Sequence, residues 1–172
     1  MKFILMILMV SLLLLGCGKQ ETMETVTDTH VASVEPKQQQ IILQLPQELA
    51  EPALKSEETG MLYLCDEYSV TVQTVSGGDL AKTIRNATGM EKENLQIMQT
   101  QQSNAVRYQW VWSANGESGI QVGRGCVLDD GTYHYVLTAM ADAEKAGAVN
   151  GIWTEMFASF HLADTENVNI GS

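Results

Sequence analysis

The fold is decided by residues 106–140, which read VRYQWVWSANGESGIQVGRGCVLDDGTYHYVLTAM. From Val106 to Trp112, large apolar side chains alternate with mostly polar ones, which is typical of a strand with one buried face. Asn-Gly at residues 115–116 and Asp-Gly at residues 130–131 are favoured hairpin turns. Together with a weaker alternating segment just before them, these signals predict four consecutive strands joined by short turns, an antiparallel meander.

A short helix is predicted between the meander and the strands that precede it. Leu80 and Ile84 begin an apolar stripe at helical spacing. Ser76 or Asp79 can accept a hydrogen bond from the first free backbone N–H groups of that helix. Gly89 is the residue type that commonly ends a helix in a left-handed conformation.

A longer amphipathic helix is predicted near the C-terminus, with Asp142 as its cap. Its apolar residues recur at helical spacing and form one continuous stripe: Val149, Ile152, Trp153, Met156, Phe157 and Phe160. Residues 61–65 and 68–73 predict two more strands upstream. The order strands, helix, four strands, helix indicates an α+β domain with an antiparallel sheet of about five or six strands.

Residues 1–16 are typical of the signal peptide of a bacterial lipoprotein. Lys2 precedes an apolar run whose helix would extend only about 20 Å, too short for the roughly 30 Å core of a membrane. The run ends in Leu-Leu-Gly-Cys at residues 14–17, which resembles the lipobox, although Leu15 is bulkier than its usual residue. Cleavage is therefore predicted between Gly16 and Cys17, with Cys17 lipidated.

This organisation predicts a lipid-anchored protein at the extracytoplasmic face of the cell membrane. Two acyl chains on one cysteine anchor stably, whereas one chain alone is marginal. Residues 17–40 have the composition of a flexible tether, residues 41–166 form a single domain, and residues 167–172 form a short tail. The alternatives are an uncleaved anchor and an ordinary secretory signal with a chance cysteine.

The formal net charge of −11 excludes one class of partner. Nucleic-acid binding needs clustered Lys and Arg residues, and the chain has no such cluster. The same charge opposes lying flat on an anionic lipid surface. We interpret it as favouring solubility.

Cys65 and Cys126 are the thiols left once Cys17 carries lipid. In an exported protein they can form a disulfide, and the alternative is two buried thiols that pack as small apolar side chains. No cysteine or histidine spacing resembles a zinc site. The expectation is therefore a chain without a metal or other cofactor.

No catalytic motif is recognisable, so the chain is not expected to be an enzyme. The three histidines stand beside no nucleophile motif. Gly123-Arg124-Gly125 is only a fragment of a nucleotide-binding loop, and glycines in a bent strand are the simpler interpretation. The acidic pairs at residues 66–67 and 129–130 lack calcium-loop spacing and are interpreted as turn residues.

The aromatic row Tyr108, Trp110 and Trp112 is the strongest candidate for a contact with a ligand or partner. Such a row can stack on a sugar or a peptide. It also supplies aromatic material to pack against Trp153 and Phe157 of the final helix, which is the favoured interpretation. Trp112 is expected to be partly exposed because it lies nearest the hairpin end.

Several segments resemble the PsbP-like family, named for a subunit of the photosynthetic oxygen-evolving complex. They are Tyr-Ser-Val-Thr-Val at residues 68–72, the Asp-Gly turn before Tyr-His-Tyr-Val-Leu at residues 133–137, and Phe-Ala-Ser-Phe at residues 157–160. The resemblance implies a central antiparallel sheet with helices on both sides, used as an accessory or binding module. No metal or partner site of the family maps onto residues of this chain.

Two functions remain open at this point. One is a non-catalytic accessory or binding domain for an unknown envelope protein. The other is a lipoprotein that captures a cation or small solute for a membrane complex. Capture predicts a pocket with converging carboxylates or exposed aromatics, and an accessory role predicts an apolar or charged surface patch. An enzyme would need a His within reach of a Ser, Thr or Cys.

Overall fold

The structure is a computed structural model that describes residues 36–56, 60–116 and 119–164. The predicted signal peptide, the lipobox with Gly16 and Cys17, the tether up to residue 35 and the tail at residues 167–172 lie outside the described residues. Within the described part, neither helix has the length and apolar character needed to cross a membrane.

The described residues form nine strands and two α-helices. The strands are β1 (Ile41–Ile42), β2 (Leu54–Ser56), β3 (Gly60–Leu64), β4 (Tyr68–Ser76), β5 (Met98–Gln101), β6 (Val106–Gly116), β7 (Gly119–Asp129), β8 (Tyr133–Asp142) and β9 (His161–Leu162). The helices are α1 (Leu80–Thr88) and α2 (Ala146–Ser159).

Seven strands form one antiparallel sheet in the order β2-β3-β4-β8-β7-β6-β5. The strands β1 and β9 pair separately. The predicted α+β class and the four-strand meander, β5 to β8, are confirmed. The sheet has seven strands rather than five or six, in part because the three residues of β2 are too few to show an alternating pattern.

The two helices cover opposite faces of the sheet. Along β8, Tyr135 and Leu137 pack in one core with residues of α2, while Val136 packs in a second core with Ile84 of α1. This follows from the geometry of a strand, in which successive side chains point to opposite faces. Both sides of the central strands are therefore buried.

The ends of α1 confirm the predicted capping residues. The Asp79 carboxylate accepts a hydrogen bond of 2.9 Å from the Lys82 backbone N–H. Gly89 has the left-handed φ of 73° and its N–H donates to the Arg85 carbonyl. The first helix is thus specified by chemistry within its own segment.

The predicted cap of α2 is wrong. Asp142 is the last residue of β8, where it pairs with Gln121. The residue before the helix is Lys145, whose side chain makes no capping hydrogen bond. Sheet pairing holds Asp142 extended, so the helix begins three residues later than a cap at that position would require.

The predicted Asn115–Gly116 turn is also wrong, because β6 continues through both residues. Gly116 pairs with Gly119, and this register sets Trp110 opposite Gly125. It sets the neighbouring Trp112 opposite Gly123 in the same way. The indole rings lie where a Cβ atom on either glycine would be. Packing of the two rings on bare backbone therefore selects the register over the turn preference.

The aromatic row faces α1 and not α2. Trp110 and Trp112 are 3% and 6% exposed, and they pack with Ile84 and Val127 in the α1 core. The predicted contact with Trp153 and the predicted exposure of Trp112 are both wrong. The reason is register, since the even-numbered side chains of β6 point away from α2.

The possible Cys65–Cys126 disulfide is not formed, and both residues are free thiols. Cys65 directly follows β3, while Cys126 lies in β7, three positions away in the sheet order. Three strand spacings are about 14 Å, twice the roughly 7 Å that a disulfide can span between Cα atoms. Burial raises the pKa of the Cys126 thiol to about 12.

The thiols give a first testable expectation. In the chain from residue 18 onward, denaturation without reductant should expose two reactive thiols. In the native protein Cys126 should be unreactive, because the thiolate is the nucleophile and burial suppresses it. Ellman-type titration of native and denatured samples measures both. A denatured, unreduced sample without reactive thiols would contradict the expectation.

Candidate functional site

His134 meets the criterion set for an enzyme, since it lies within reach of a hydroxyl. Its Nδ1 is 2.7 Å from Thr83 Oγ1. Its Nε2 is 3.6 Å from a carboxylate oxygen of Asp129. No local sequence pattern predicts this row, because the three residues come from α1, β7 and β8. Only the fold brings them together.

The geometry of this row fits attachment of α1 to the sheet better than catalysis. Thr83 is 6% and His134 is 1% exposed. The threonine hydroxyl also lies 3.2 Å from the Asp79 carbonyl one turn earlier in the helix. A nucleophile needs access to its substrate and a base that is free to take its proton. Here the hydroxyl is buried and tied to the backbone.

Thr83→Val tests the attachment role. The change keeps the shape of the side chain but leaves the buried Nδ1 of His134 without its partner, so the free energy of unfolding should fall by about 2 kcal/mol. Thr154→Val is the matched control, because Thr154 also bonds to a carbonyl four residues earlier but is exposed. Urea unfolding followed by circular dichroism measures both. Equal effects of the two changes would contradict the role.

The acidic turn at residues 129–130 is used by the protein itself. The Asp130 carboxylate accepts hydrogen bonds from the N–H groups of Thr132 and Tyr133, from the Tyr135 hydroxyl and from the Gln39 amide. Burial opposes the charged form, but these hydrogen bonds outweigh it and hold the pKa of Asp130 below its ordinary value. The interpretation as a turn fits these contacts. Among the described residues no group of three or more His, Cys, Asp or Glu is placed to hold a metal.

The β7–β8 turn also receives the segment that leads from the predicted anchor. The Tyr133 hydroxyl donates to the Pro36 carbonyl, and the Gln39 N–H donates to the Tyr135 hydroxyl. Residues 36–40 were assigned to the tether, yet they make these hydrogen bonds to the domain. We call this the tether end of the sheet. The opposite end, where Gly116 pairs with Gly119, we call the hairpin end.

A cleft opens towards the hairpin end, between α2 and the β6–β7 hairpin. This distal cleft has a volume of about 540 Å³, within the range of small-molecule sites. Its lining includes Val111, Val122, Arg124, Ala146, Asn150 and Trp153. Val111 is 68% exposed, and Ile120 on the same face of the hairpin is 59% exposed. Two exposed apolar side chains therefore lie at or beside this cleft.

Arg124 is the charged residue of the distal cleft. Its guanidinium lies 4.7 Å from the centre of the Phe157 ring, and its Nη2 is 3.5 Å from the side-chain oxygen of Gln109. Burial lowers the pKa of Arg124, and the nearby Arg107 lowers it further. Neither of the ion pairs found in the described residues involves Arg124. The cleft therefore holds a partly buried cation that has no carboxylate partner in the part of the chain that the structure describes.

The sequence did not predict Arg124 as a site residue. Its flanking glycines resemble a fragment of a nucleotide-binding loop, and glycines in a bent strand were the simpler interpretation. A signal was available in the alternation of β7, where Val122, Arg124, Cys126 and Leu128 share one face. A cation at such a position stands in an otherwise apolar row. Trp112 contributes to the cleft but is itself buried, so it is not the exposed contact that the sequence suggested.

Two solved structures share features of this fold. LpqN of Mycobacterium tuberculosis, described as involved in cell envelope biogenesis, matches with a TM-score of 0.53 and 10% identity over 77% of this chain and 88% of its own. PsbP from the cyanobacterium Synechocystis sp. PCC 6803 matches with a TM-score of 0.46 and 11% identity over 72% and 82%. A PsbP protein is among the structural neighbours.

At these identities the likeness concerns the fold alone. No protein-family model and no curated protein sequence matches the chain.

Proposed function

We propose that the protein is a lipid-anchored, non-catalytic binding domain at the extracytoplasmic face of the cell membrane. Cys17 supplies the anchor, and the distal cleft with its exposed neighbours Val111 and Ile120 supplies the docking surface. The observation that carries the proposal is the position of that surface. Apolar side chains lie exposed around a cleft towards the hairpin end. Solubility alone does not explain apolar side chains at such a place.

The position of the surface relative to the anchor supports this function. Strand β7 runs from Ile120 near the hairpin end to Asp129 at the tether end, a distance of about 30 Å at 3.3 Å per residue. The chain leading to Cys17 joins the domain at Pro36, beside the tether end. The exposed Val111 and Ile120 therefore lie towards the end of the sheet opposite Pro36, where the described chain begins.

The similarity in fold to LpqN, which is described as involved in cell envelope biogenesis, is compatible with this setting. Capture of a cation, the other function left open by the sequence, has less support. The carboxylate oxygens of the acidic turn accept hydrogen bonds from backbone and side-chain donors of the domain itself. Capture of a small solute fits the distal cleft and is developed in the next subsection.

The proposal is tested in cells with two readouts. Metabolic labelling with a palmitate analogue should mark the wild-type protein but not Cys17→Ser, because that change removes the acceptor thiol. A photo-crosslinking amino acid at Val111 or Ile120 should give one discrete product with an envelope component. The same residue at Thr132, exposed at the tether end, is the matched control. Labelling of Cys17→Ser, or identical products from Val111 and Thr132, would contradict the proposal.

A further inference from the structure

We infer that the distal cleft binds a carboxylate amphiphile, with its acid on Arg124 and its hydrocarbon part against Val111 and Val122. This inference rests on the proposed function, since it names the ligand class of the same surface. The cleft has the charge and the apolar walls that such a ligand needs.

The charge of the cleft is opposite to that of the chain. The protein carries a formal net charge of −11, yet the charged residue lining this cleft is Arg124. Its guanidinium is held in place by the Phe157 ring and the Gln109 amide, which are neutral partners. A carboxylate can accept two parallel hydrogen bonds from such a planar group. A bound acid would supply the countercharge that the described residues do not provide.

Burial around Arg124 makes an anion more favourable there than on the open surface. The pKa of Arg124 is lowered first by burial and then by Arg107. A neighbouring negative charge would oppose both effects, because it favours the charged form of the arginine. Screening by salt is also weaker at a partly buried position than at an exposed one. The cleft thus holds a cation whose attraction for an anion is only weakly screened by salt.

The walls of the cleft select for an apolar part of the ligand. Val111 and Val122 lie on the hairpin side, and Ala146 and Trp153 lie on the helix side. Val111 is 68% exposed, so a hydrocarbon chain laid across the hairpin would remove its side chain from water. A small hydrophilic acid would leave this surface uncovered.

An unpaired donor lies beside the apolar wall. Trp153 lines the cleft and is 5% exposed, and its indole N–H has no hydrogen-bond partner among the described residues. A buried N–H without an acceptor is unfavourable, and native proteins satisfy most such groups. Asn150, one helical turn earlier in α2, also lines the cleft and can donate to an oxygen. A ligand oxygen that reaches this side of the cleft could therefore accept a hydrogen bond from the Asn150 amide.

Calorimetric titration of the chain from residue 18 with sodium decanoate, below its micelle-forming concentration, tests the inference. The chain from residue 18 keeps every described residue. We expect one site per chain, and Arg124→Gln should weaken the affinity by at least about tenfold, equivalent to 1.4 kcal/mol. Lys82→Gln, which removes an exposed cation on α1, should leave the affinity unchanged.

Two comparison ligands and one mapping experiment complete the test. Decyltrimethylammonium shares the chain with the opposite charge, and acetate shares the acid without the chain, so both should bind much more weakly than decanoate. Amide NMR shifts should map decanoate to Val111, Val122 and Ala146. Absence of decanoate binding, equal binding by Arg124→Gln or by the cationic ligand, or shifts at another surface would overturn the inference. The crosslinks from Val111 test the proposed function independently of any of these results.

Discussion

Arg107→Met is expected to lower the free energy of unfolding by about 4 kcal/mol. Arg107 is 7% exposed and lies in β6, on the face that α2 covers. Its Nη1 donates to the Phe160 carbonyl at 2.6 Å and its Nη2 donates to the Phe157 carbonyl at 2.5 Å. The side chain thus joins the start of β6 to the end of the C-terminal helix.

The expected loss follows from the chemistry of a helix C-terminus. The last carbonyls of a helix have no partner within the helix, and α2 has no basic residue in its own last turn. Each buried carbonyl left without a donor costs about 1–3 kcal/mol. Loss of a cation at the negative end of the helix dipole adds about 1 kcal/mol. Methionine keeps most of the length of the side chain, so the effect reports hydrogen bonding more than volume.

Arg85→Met is the matched control for this prediction. Arg85 pairs with Glu91, but both side chains are about half exposed, at 53% and 51%. Exposed ion pairs contribute about 0–1 kcal/mol, so this change should be nearly neutral. Urea unfolding of the two variants and of the wild type gives the comparison. A loss below about 1 kcal/mol for Arg107→Met would show that α2 is held by its apolar stripe alone.

The sequence predicts those elements whose causes are local. Helix α1 follows from Asp79 and Gly89, because each acts on backbone groups within four residues of itself. The strands of the meander follow from alternation, and α2 follows from its stripe, in which Val149, Trp153 and Phe157 are all buried. In each case the deciding contact lies close in the chain or repeats along it.

The failures of prediction share a different cause. A sheet covered on both faces loses the contrast between apolar and polar positions that tells one face from the other. Alternation in β6 therefore identified a strand but could not say that Trp110 faces α1 while Arg107 faces α2. The candidate site is the part that the sequence predicts least well. Arg124 lies in the distal cleft because of the register of β7, and no local motif indicates that position. The strand order was likewise needed to show that Cys65 and Cys126 lie too far apart to form a disulfide.

Gly125→Ala is expected to destabilise the domain by about 3 kcal/mol, although it adds only one methyl group. Gly125 pairs with Trp110 across the β6–β7 ladder, and an added Cβ would overlap the indole ring at Cε2 and Cζ2. Trp110 is 3% exposed and packs with Ile84 and Val127, so the ring has no open space into which to move. The ring and the neighbouring side chains must all shift.

The same substitution elsewhere in the chain should act in the opposite direction. Gly151 lies within α2, and a Cβ there would meet nothing within 4 Å. Gly151→Ala should therefore stabilise by about 0.5–1 kcal/mol through helix propensity. Opposite changes in the free energy of unfolding for the same substitution would show that the loss at Gly125 comes from its contact with the Trp110 ring. They would exclude a general effect of replacing glycine by alanine. Thermal and urea unfolding measure both.

A double-mutant cycle identifies the ring as the cause. Trp110→Ala alone should cost several kcal/mol because it leaves a cavity, about 3–5 kcal/mol for a buried tryptophan. In that background Gly125→Ala should cost little, since the atoms it would strike are gone, and the coupling between the two changes should approach 3 kcal/mol. Additive effects would mean that the ring does not lie on the glycine. In that case the β6–β7 register would need another cause than the packing of Trp110 on bare backbone.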